Sequence, residues 1–354
     1  MPIVTVNGVR LHYVQLDDGG DGAREDLVMV HGLATSLAFW YFRYAAEFSR
    51  RFRVTLLDLR GHGRSQMPAD GYSPTEMARD LGGLLDHLQI DRAHFIAHSF
   101  GGVVALKFAC EQPQRVRSLV LADSHIAAVR RLGPQREWSR GQEIQAILDR
   151  HAPDLDTQDP YFGYHLITRM ARWQLQGTEV PPELAELVNP LMGASAKQTA
   201  RQWLALMDTT SAAAQMMSDD GLALEDLRKL HFPILALYGE HSHARLTGEA
   251  LLEVWPQAEF RGVRGAGHFF PASRPREVIS DCERFWGGEF APERRRNRDG
   301  ETQRNYIRSE RVYATDDGWY FMTREQCRMG PFASREEAHM EIQAMFAPAQ
   351  AISA

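Results

Sequence analysis

The chain has 354 residues, of which 44% are hydrophobic and 24% charged, and its formal net charge is −6. This composition is typical of a globular protein with one large domain and a smaller unit. It disfavours a nucleic-acid-binding protein because no basic face dominates, and no apolar run predicts a membrane span. The N-terminus lacks a secretory signal pattern, and the three cysteines have no metal-ligand or disulfide-framework spacing. We therefore expect a cytoplasmic protein without a cofactor or metal.

The sequence first predicts a hairpin that turns at Asn7-Gly8, and then strands that alternate with helices. Helical segments are predicted over 75–88 and 101–111. Such alternation favours a mostly parallel sheet with helices on both faces, whose functional residues follow the carboxyl ends of the strands. The predicted strands are 3–6, 9–16, 27–30, 54–57, 93–97, 116–122, 234–238 and 259–263.

The alternation is interrupted by a long helix-prone insertion, which divides the predicted core into 1–124 and 231–288. We interpret 125–230 as a helical cap over the site. Its large apolar side chains, among them Trp138, Phe162 and Tyr164, either form the core of the cap or line an apolar pocket. Both roles are compatible with the sequence.

The C-terminal part predicts a charged linker over 289–305 and a small unit over 306–350. This unit contains a predicted hairpin, a third short strand at 329–332, and a helix that follows the capping-box spacing of Ser334 and Glu337. It is too small for a core of its own, so we interpret it as a dimerisation or docking module.

The clearest chemical motif is Ala97-His98-Ser99-Phe100-Gly101, which follows a predicted strand and begins a helix. A small residue two positions before and after a serine allows a sharp strand-to-helix turn that exposes the hydroxyl as a nucleophile. The backbone N–H of Phe100 then lies at a helix N-terminus, where an oxyanion is stabilised. Alanine at the first small position, where glycine is usual, adds one methyl group.

Two loops complete the predicted machinery. His268 lies in a glycine-flanked loop after the strand at 259–263, which is the position expected for the general base. The N–H of Leu33, in the loop after 27–30, is the predicted second oxyanion donor. We assign structural roles to His31 and to the turn at 58–65.

Together the segments HGLATS, DLRGHGRS, AHSFGG and GAGH resemble the α/β-hydrolase superfamily over about residues 3 to 286. The resemblance implies an α/β-hydrolase fold with a central, mostly parallel sheet, a helical cap and, here, an appended α+β module. Serine at position 99 disfavours the dehalogenase and epoxide hydrolase chemistry that an aspartate there would imply. The fold alone does not define a substrate.

The third member of the triad departs from the family pattern. Most relatives place an aspartate where this chain has Ser242, in Gly239-Glu240-His241-Ser242. Three possibilities remain: Asp123, which follows the strand at 116–122 as in a minority that includes polyketide-type thioesterases; Glu240, whose longer side chain extends from two positions earlier; or no working acid.

The hypothesis that follows is a serine hydrolase for an ester or thioester of a small apolar acyl group, polyketide-like or carrier-bound. Carbon–carbon hydrolysis, and acyl transfer or cyclisation on the same triad, are alternatives. A third is a non-catalytic ligand-binding protein on a hydrolase scaffold, which the serine at position 242 favours and the intact motifs disfavour.

Overall fold

A computed structural model describes most of the chain. Among the described residues, no helix has the length and apolarity to cross a membrane. The described residues are 2–17, 24–132, 138, 140–185, 187–188, 195–218, 220–287, 312–315, 318–322, 328–332, 334 and 337.

The main structural element is an eight-stranded sheet with the order β1-β2-β4-β3-β5-β6-β7-β8. β1 and β2 form the antiparallel edge, and every pair from β4 to β8 is parallel. The predicted mostly parallel α/β architecture is confirmed. The strands are β1 Ile3–Val6, β2 Val9–Leu16, β3 Asp26–Val30, β4 Arg53–Leu57, β5 Ala93–His98, β6 Val116–Ala122, β7 Ile234–Gly239 and β8 Glu259–Val263.

Helices surround this sheet, and local signals account for their limits. α3 begins with a capping box between Ser73 and Glu76 and with Pro74 in its first turn. α7 ends at Gly177, whose φ of 72° is favourable for glycine. The helices are α1 Ala38–Trp40, α2 Ala46–Phe48, α3 Pro74–His87, α4 Phe100–Glu111, α5 Ala127–Arg130, α6 Gly141–His151, α7 Phe162–Gln176, α8 Pro182–Ala185, α9 Ala196–Thr209, α10 Ala212–Met216, α11 Leu224–Leu227, α12 Arg245–Val254, α13 Phe270–Ser273 and α14 Pro275–Phe285.

Both faces of the sheet are buried, as expected for parallel strands. Val28 and Val30 of β3 belong to the hydrophobic cluster on one face, which also includes residues of α3, α4 and the inserted helices. Leu27 and Met29 belong to the cluster on the other face, with α14. The alternation fixes the register of the central strands, so their carboxyl ends form one edge.

The C-terminal region contains a three-stranded antiparallel sheet with the order β11-β10-β9. Its strands, β9 Val312–Thr315, β10 Gly318–Met322 and β11 Arg328–Phe332, correspond to the predicted hairpin and third strand. The N–H of Glu337 donates to Ser334 Oγ at 3.0 Å, as the capping spacing predicts. The predicted linker and most of the predicted helix lie outside the described residues, and the domain boundaries stay predictions.

Candidate active site

Ser99 lies on a sharp turn between β5 and α4. Its φ of 55° and ψ of −125° lie outside the usual regions for a side chain larger than glycine, and such backbone strain is concentrated at functional sites. Position 101 requires glycine, because a Cβ there would lie 2.3 Å from the carbonyl oxygen of His31. Ala97, fully buried, occupies the other small position.

His268 lies in the loop that follows β8. Its Nε2 is 3.0 Å from Ser99 Oγ, the distance of a hydrogen bond between base and nucleophile. The loop packs closely against the end of β7, where a Cβ on Gly239 would lie 2.5 Å from the carbonyl oxygen of Ala266. His98 Nε2–H also donates to the His268 carbonyl oxygen at 3.0 Å. The backbone of the loop that carries the imidazole is therefore fixed at Ala266 and at His268.

Asp123 follows β6 and is fully buried. Its Oδ2 is 2.7 Å from His268 Nδ1, and the same oxygen accepts a short hydrogen bond from Ser242 Oγ. Its Oδ1 accepts the N–H of Gly239 at 2.8 Å. An ionised carboxylate only accepts hydrogen bonds, so Nδ1 of His268 is the protonated nitrogen and Nε2 is free to accept the proton of Ser99.

Glu240, the alternative acid, does not lie at His268. Its Oε2 instead accepts the N–H of Gly265 at 2.7 Å, and this hydrogen bond lowers the pKa of Glu240. The structure thus brings together Ser99, His268 and Asp123 and leaves Glu240 outside the hydrogen-bonded series.

The two predicted oxyanion donors flank Ser99. Leu33 and Phe100 line the same cavity as the serine. A Cβ on Gly32 would lie 2.9 Å from Ser99 Cβ, so the backbone before Leu33 closely approaches the nucleophile. No acceptor among the described residues binds either N–H group. Both amides are therefore available to an oxyanion.

The residues assigned structural roles hold the loop that contains Leu33. His31 Nε2 accepts the N–H of Leu59 at 3.1 Å, and its Nδ1–H donates to the carbonyl oxygen of Gly32 at 2.7 Å. Burial lowers the pKa of His31 and keeps it neutral. Asp58 accepts the N–H of Leu37 at 2.7 Å and so fixes the other end of the loop.

A cavity of about 170 Å³ adjoins Ser99 and His268. Of the large apolar side chains of the insertion, Trp138, Phe162 and Tyr164 line it, whereas Trp203 is buried in the core. Some of the large apolar side chains of the insertion thus line the pocket, and others form its core. Among the described residues, no group of three or more His, Cys, Asp or Glu side chains is arranged to hold a metal ion.

Sequence reasoning missed two supporting residues. The sequence pattern marks Ser242 only as the place of a lost acid, yet its hydroxyl donates to Asp123. The pattern marks His98 only as part of the strand-to-helix turn, yet it supports the backbone of His268. The position of Ser242, where relatives have the acid, was the signal that it lies beside the imidazole.

The fold and this geometry define an α/β-hydrolase-type protein. Residues 27–275 match the family described as the alpha/beta hydrolase fold, which is more than half of the chain, so the protein belongs to this family. Residues 296–350 match a domain of unknown function, DUF6316.

Three similar proteins differ in the activities for which they are named. A soluble epoxide hydrolase from Corynebacterium sp. (strain C12) is 29% identical over 297 residues, which cover 81% of this chain and 96% of that protein. An acetyltransferase component of the acetoin cleaving system from Pseudomonas putida is 42% identical over 119 residues, but the match covers only 34% of this chain and 31% of that protein. Est816, described as an N-acyl homoserine lactone degrading enzyme, has a TM-score of 0.54 at 24% identity and covers 80% of this chain and 100% of its own.

Proposed function

We propose that the protein is a serine hydrolase that cleaves an ester or thioester of a small apolar acyl group through an acyl-enzyme on Ser99. One observation supports this most directly: Ser99, His268 and Asp123 form a continuous hydrogen-bonded series at an apolar cavity. That arrangement is the geometric signature of triad catalysis, whatever the order along the chain.

Each group has a role in the proposed reaction. His268 Nε2 takes the Ser99 proton as Oγ attacks the carbonyl carbon, and the amides of Leu33 and Phe100 donate to the oxyanion. His268 then gives the proton to the departing oxygen or sulfur as the carbon–leaving-group bond breaks. In the second half, His268 removes a proton from water, whose oxygen attacks the acyl carbon. The bond between that carbon and Ser99 Oγ then breaks, Oγ takes the proton from His268, and the free acid leaves.

Asp123 supports both halves of this reaction. Its carboxylate fixes the Nδ1–H tautomer of His268 and stabilises the imidazolium that forms twice in each cycle. Because Asp123 also accepts hydrogen bonds from Ser242 and Gly239, its orientation is fixed before the substrate binds.

An epoxide hydrolase activity, suggested by the Corynebacterium relative, is disfavoured by the same geometry. Serine rather than a carboxylate stands at the nucleophile position, and its partner is a histidine suited to remove the hydroxyl proton. The cavity lining is mostly apolar, which favours an acyl chain as the bound group.

The direct test is covalent labelling with a fluorophosphonate, followed by intact-mass measurement. The wild-type protein should gain one adduct, Ser99→Ala should gain none, and Ser218→Ala, which changes an exposed serine, should label like the wild type. Matched esters and thioesters of the same acyl chain then measure the preferred leaving group. A wild-type protein that neither labels nor cleaves any of them would favour the ligand-binding alternative instead.

Product analysis distinguishes water from other acceptors of the acyl group. With hydroxylamine added as a competing nucleophile, a hydrolase yields mainly the free acid at low hydroxylamine concentration. Dominant hydroxamate formation there would indicate an acyltransferase that uses the same acyl-enzyme.

A further inference from the structure

Of the three histidines that line the cavity without belonging to the triad, His125, His241 and His243, the first and the last have neighbouring rings. His125 lies two residues after Asp123, His243 lies one residue after Ser242, and both border the cavity. Their ring centroids are 5.9 Å apart. Because β6 and β7 are neighbouring strands, the two imidazoles lie on the same side of the cavity, which is called the cavity wall below.

These imidazoles have few partners. His125 Nδ1 is 3.1 Å from Thr247 Oγ1. His243 is half-buried, and neither of its ring nitrogens has a hydrogen-bond partner among the described residues. The hydroxyl of Tyr164, also at the cavity, likewise lacks one within the described part of the chain. Polar atoms that border a cavity without a partner within the protein can bind a polar group of a ligand.

Aromatic packing fixes the orientation of His243. The Trp138 ring stands edge-on to it, with centroids 5.7 Å apart and an interplanar angle of 87°. The Phe162 ring lies 6.2 Å away, and Trp138 is itself anchored by its Nε1–H to the carbonyl oxygen of His241. The polar edge of His243 is therefore preorganised rather than free to turn away.

Charge at this wall limits the possible ligands. Burial, together with the neighbouring imidazoles and Arg130, lowers the pKa of His125 and of His243 to about 4. Both rings are therefore neutral near pH 7, and each offers one donor and one acceptor nitrogen. Burial raises the pKa of Tyr164, which keeps that phenol neutral. Among the described residues that line the cavity, none is Lys, Arg, Asp or Glu.

We propose that His125 and His243 form a polar subsite that binds an uncharged oxygen, a hydroxyl or keto group, on the otherwise apolar acyl chain of the substrate. This inference rests on the proposed function and narrows its substrate class to oxygenated acyl esters or thioesters. The neutral donors and acceptors suit such an oxygen, whereas a carboxylate would find no Lys or Arg side chain among the described residues that line the cavity.

The test compares matched p-nitrophenyl esters of medium-length acyl chains. One series is plain, a second has a single hydroxyl or keto group moved along the chain, and a third has a terminal carboxylate. For at least one oxygen position, kcat/KM should exceed that of the plain chain by about 10-fold, the value of roughly one well-made neutral hydrogen bond. The same oxygen placed on the leaving group should give no such gain.

Variants of His243 assign the effect to the subsite. His243→Phe keeps the aromatic packing but removes both nitrogens, so the ratio of kcat/KM for oxygenated over plain chains should fall to near one, mostly through KM. His243→Gln keeps a donor and an acceptor and should retain part of the ratio. Ile167→Val, the matched control, changes an apolar lining residue that is not one of the rings packed on His243, so it should change both substrates by the same factor and leave the ratio intact.

Failure of this inference is distinguishable from failure of the proposed function. If the wild-type protein labels and cleaves plain esters but gains nothing from any oxygen, prefers the carboxylate series, or keeps its preference in His243→Phe, the subsite is wrong and the hydrolase stands. If nothing is cleaved, calorimetry on Ser99→Ala with the same ester pairs decides the subsite alone. Equal binding of plain and oxygenated chains there would overturn it.

Discussion

The carboxyl ends of β6 and β7 lie side by side, yet they contribute differently to the site. β6 ends in Asp123, whose carboxylate contacts the imidazole of His268 directly. β7 is followed by Glu240, which turns toward Gly265, and by Ser242, which contacts the imidazole only through Asp123. One strand end supplies the charge, and the other supplies the donors that orient it.

Backbone conformation explains this difference better than residue type does. Asp123 has a φ of 56°, and its N–H donates to the carbonyl oxygen of Leu237 at 2.8 Å. The chain therefore turns sharply at once after β6, and a short side chain reaches the histidine. Glu240 has a similar N–H hydrogen bond, to the carbonyl oxygen of Val263 at 3.0 Å, but its φ is not positive, and its side chain accepts the N–H of Gly265 instead.

The largest expected effect comes from Asp123→Asn. Because Gly239 N–H needs an oxygen acceptor, the asparagine NH₂ would face His268 and donate to Nδ1, which leaves the proton on Nε2. That tautomer cannot accept the Ser99 proton, so kcat/KM for an ester should fall by roughly 10³- to 10⁴-fold. Asp226→Asn, which breaks only the exposed pair with Lys229, is the control. A loss smaller than tenfold would show that Asp123 is not the acid.

The next effect tests whether the two strand ends are interchangeable. Adding Ser242→Asp to the Asp123→Asn protein returns a carboxylate to the position used by most relatives. It should recover at least about tenfold in kcat/KM, because an anion near the imidazole again stabilises its charged form. Ser242→Asn in the same background is the control for shape without charge. No recovery over that control would mean that the β7 end can no longer place a carboxylate at His268.

Much of this region follows from sequence pattern. The strand limits, Ser99 and His268 could be predicted because alternation, small residues and glycine-flanked loops are local signals. The choice between Asp123 and Glu240 could not be, since it depends on a positive φ and on contacts between strands that are distant along the chain. The cavity wall at His125 and His243 depends on the same pairing of β6 with β7, so the residue types alone gave no signal for it.

A smaller effect is expected from Ser242→Ala. Loss of the hydroxyl removes one of the donors that orient the Asp123 carboxylate toward His268. We expect kcat/KM to fall by about 3- to 10-fold. Ser242→Thr, which keeps the hydroxyl, should stay close to the wild-type rate. A rate in Ser242→Thr as low as that of Ser242→Ala would show that packing at position 242, and not the hydroxyl, causes the loss.

The smallest expected effect is that of Glu240→Gln, which completes the comparison of the two strand ends. A glutamine oxygen can still accept the N–H of Gly265, and the side chain does not contact His268. We therefore expect kcat/KM to change by less than about threefold, because the hydrogen bond from Gly265 is retained. Both variants are measured with the same ester. A loss of 10²-fold or more in Glu240→Gln would reassign the acid to the end of β7 and contradict the geometry described above. The reason is that a substitution that keeps the hydrogen bond to Gly265 should not disable His268, which Glu240 does not contact.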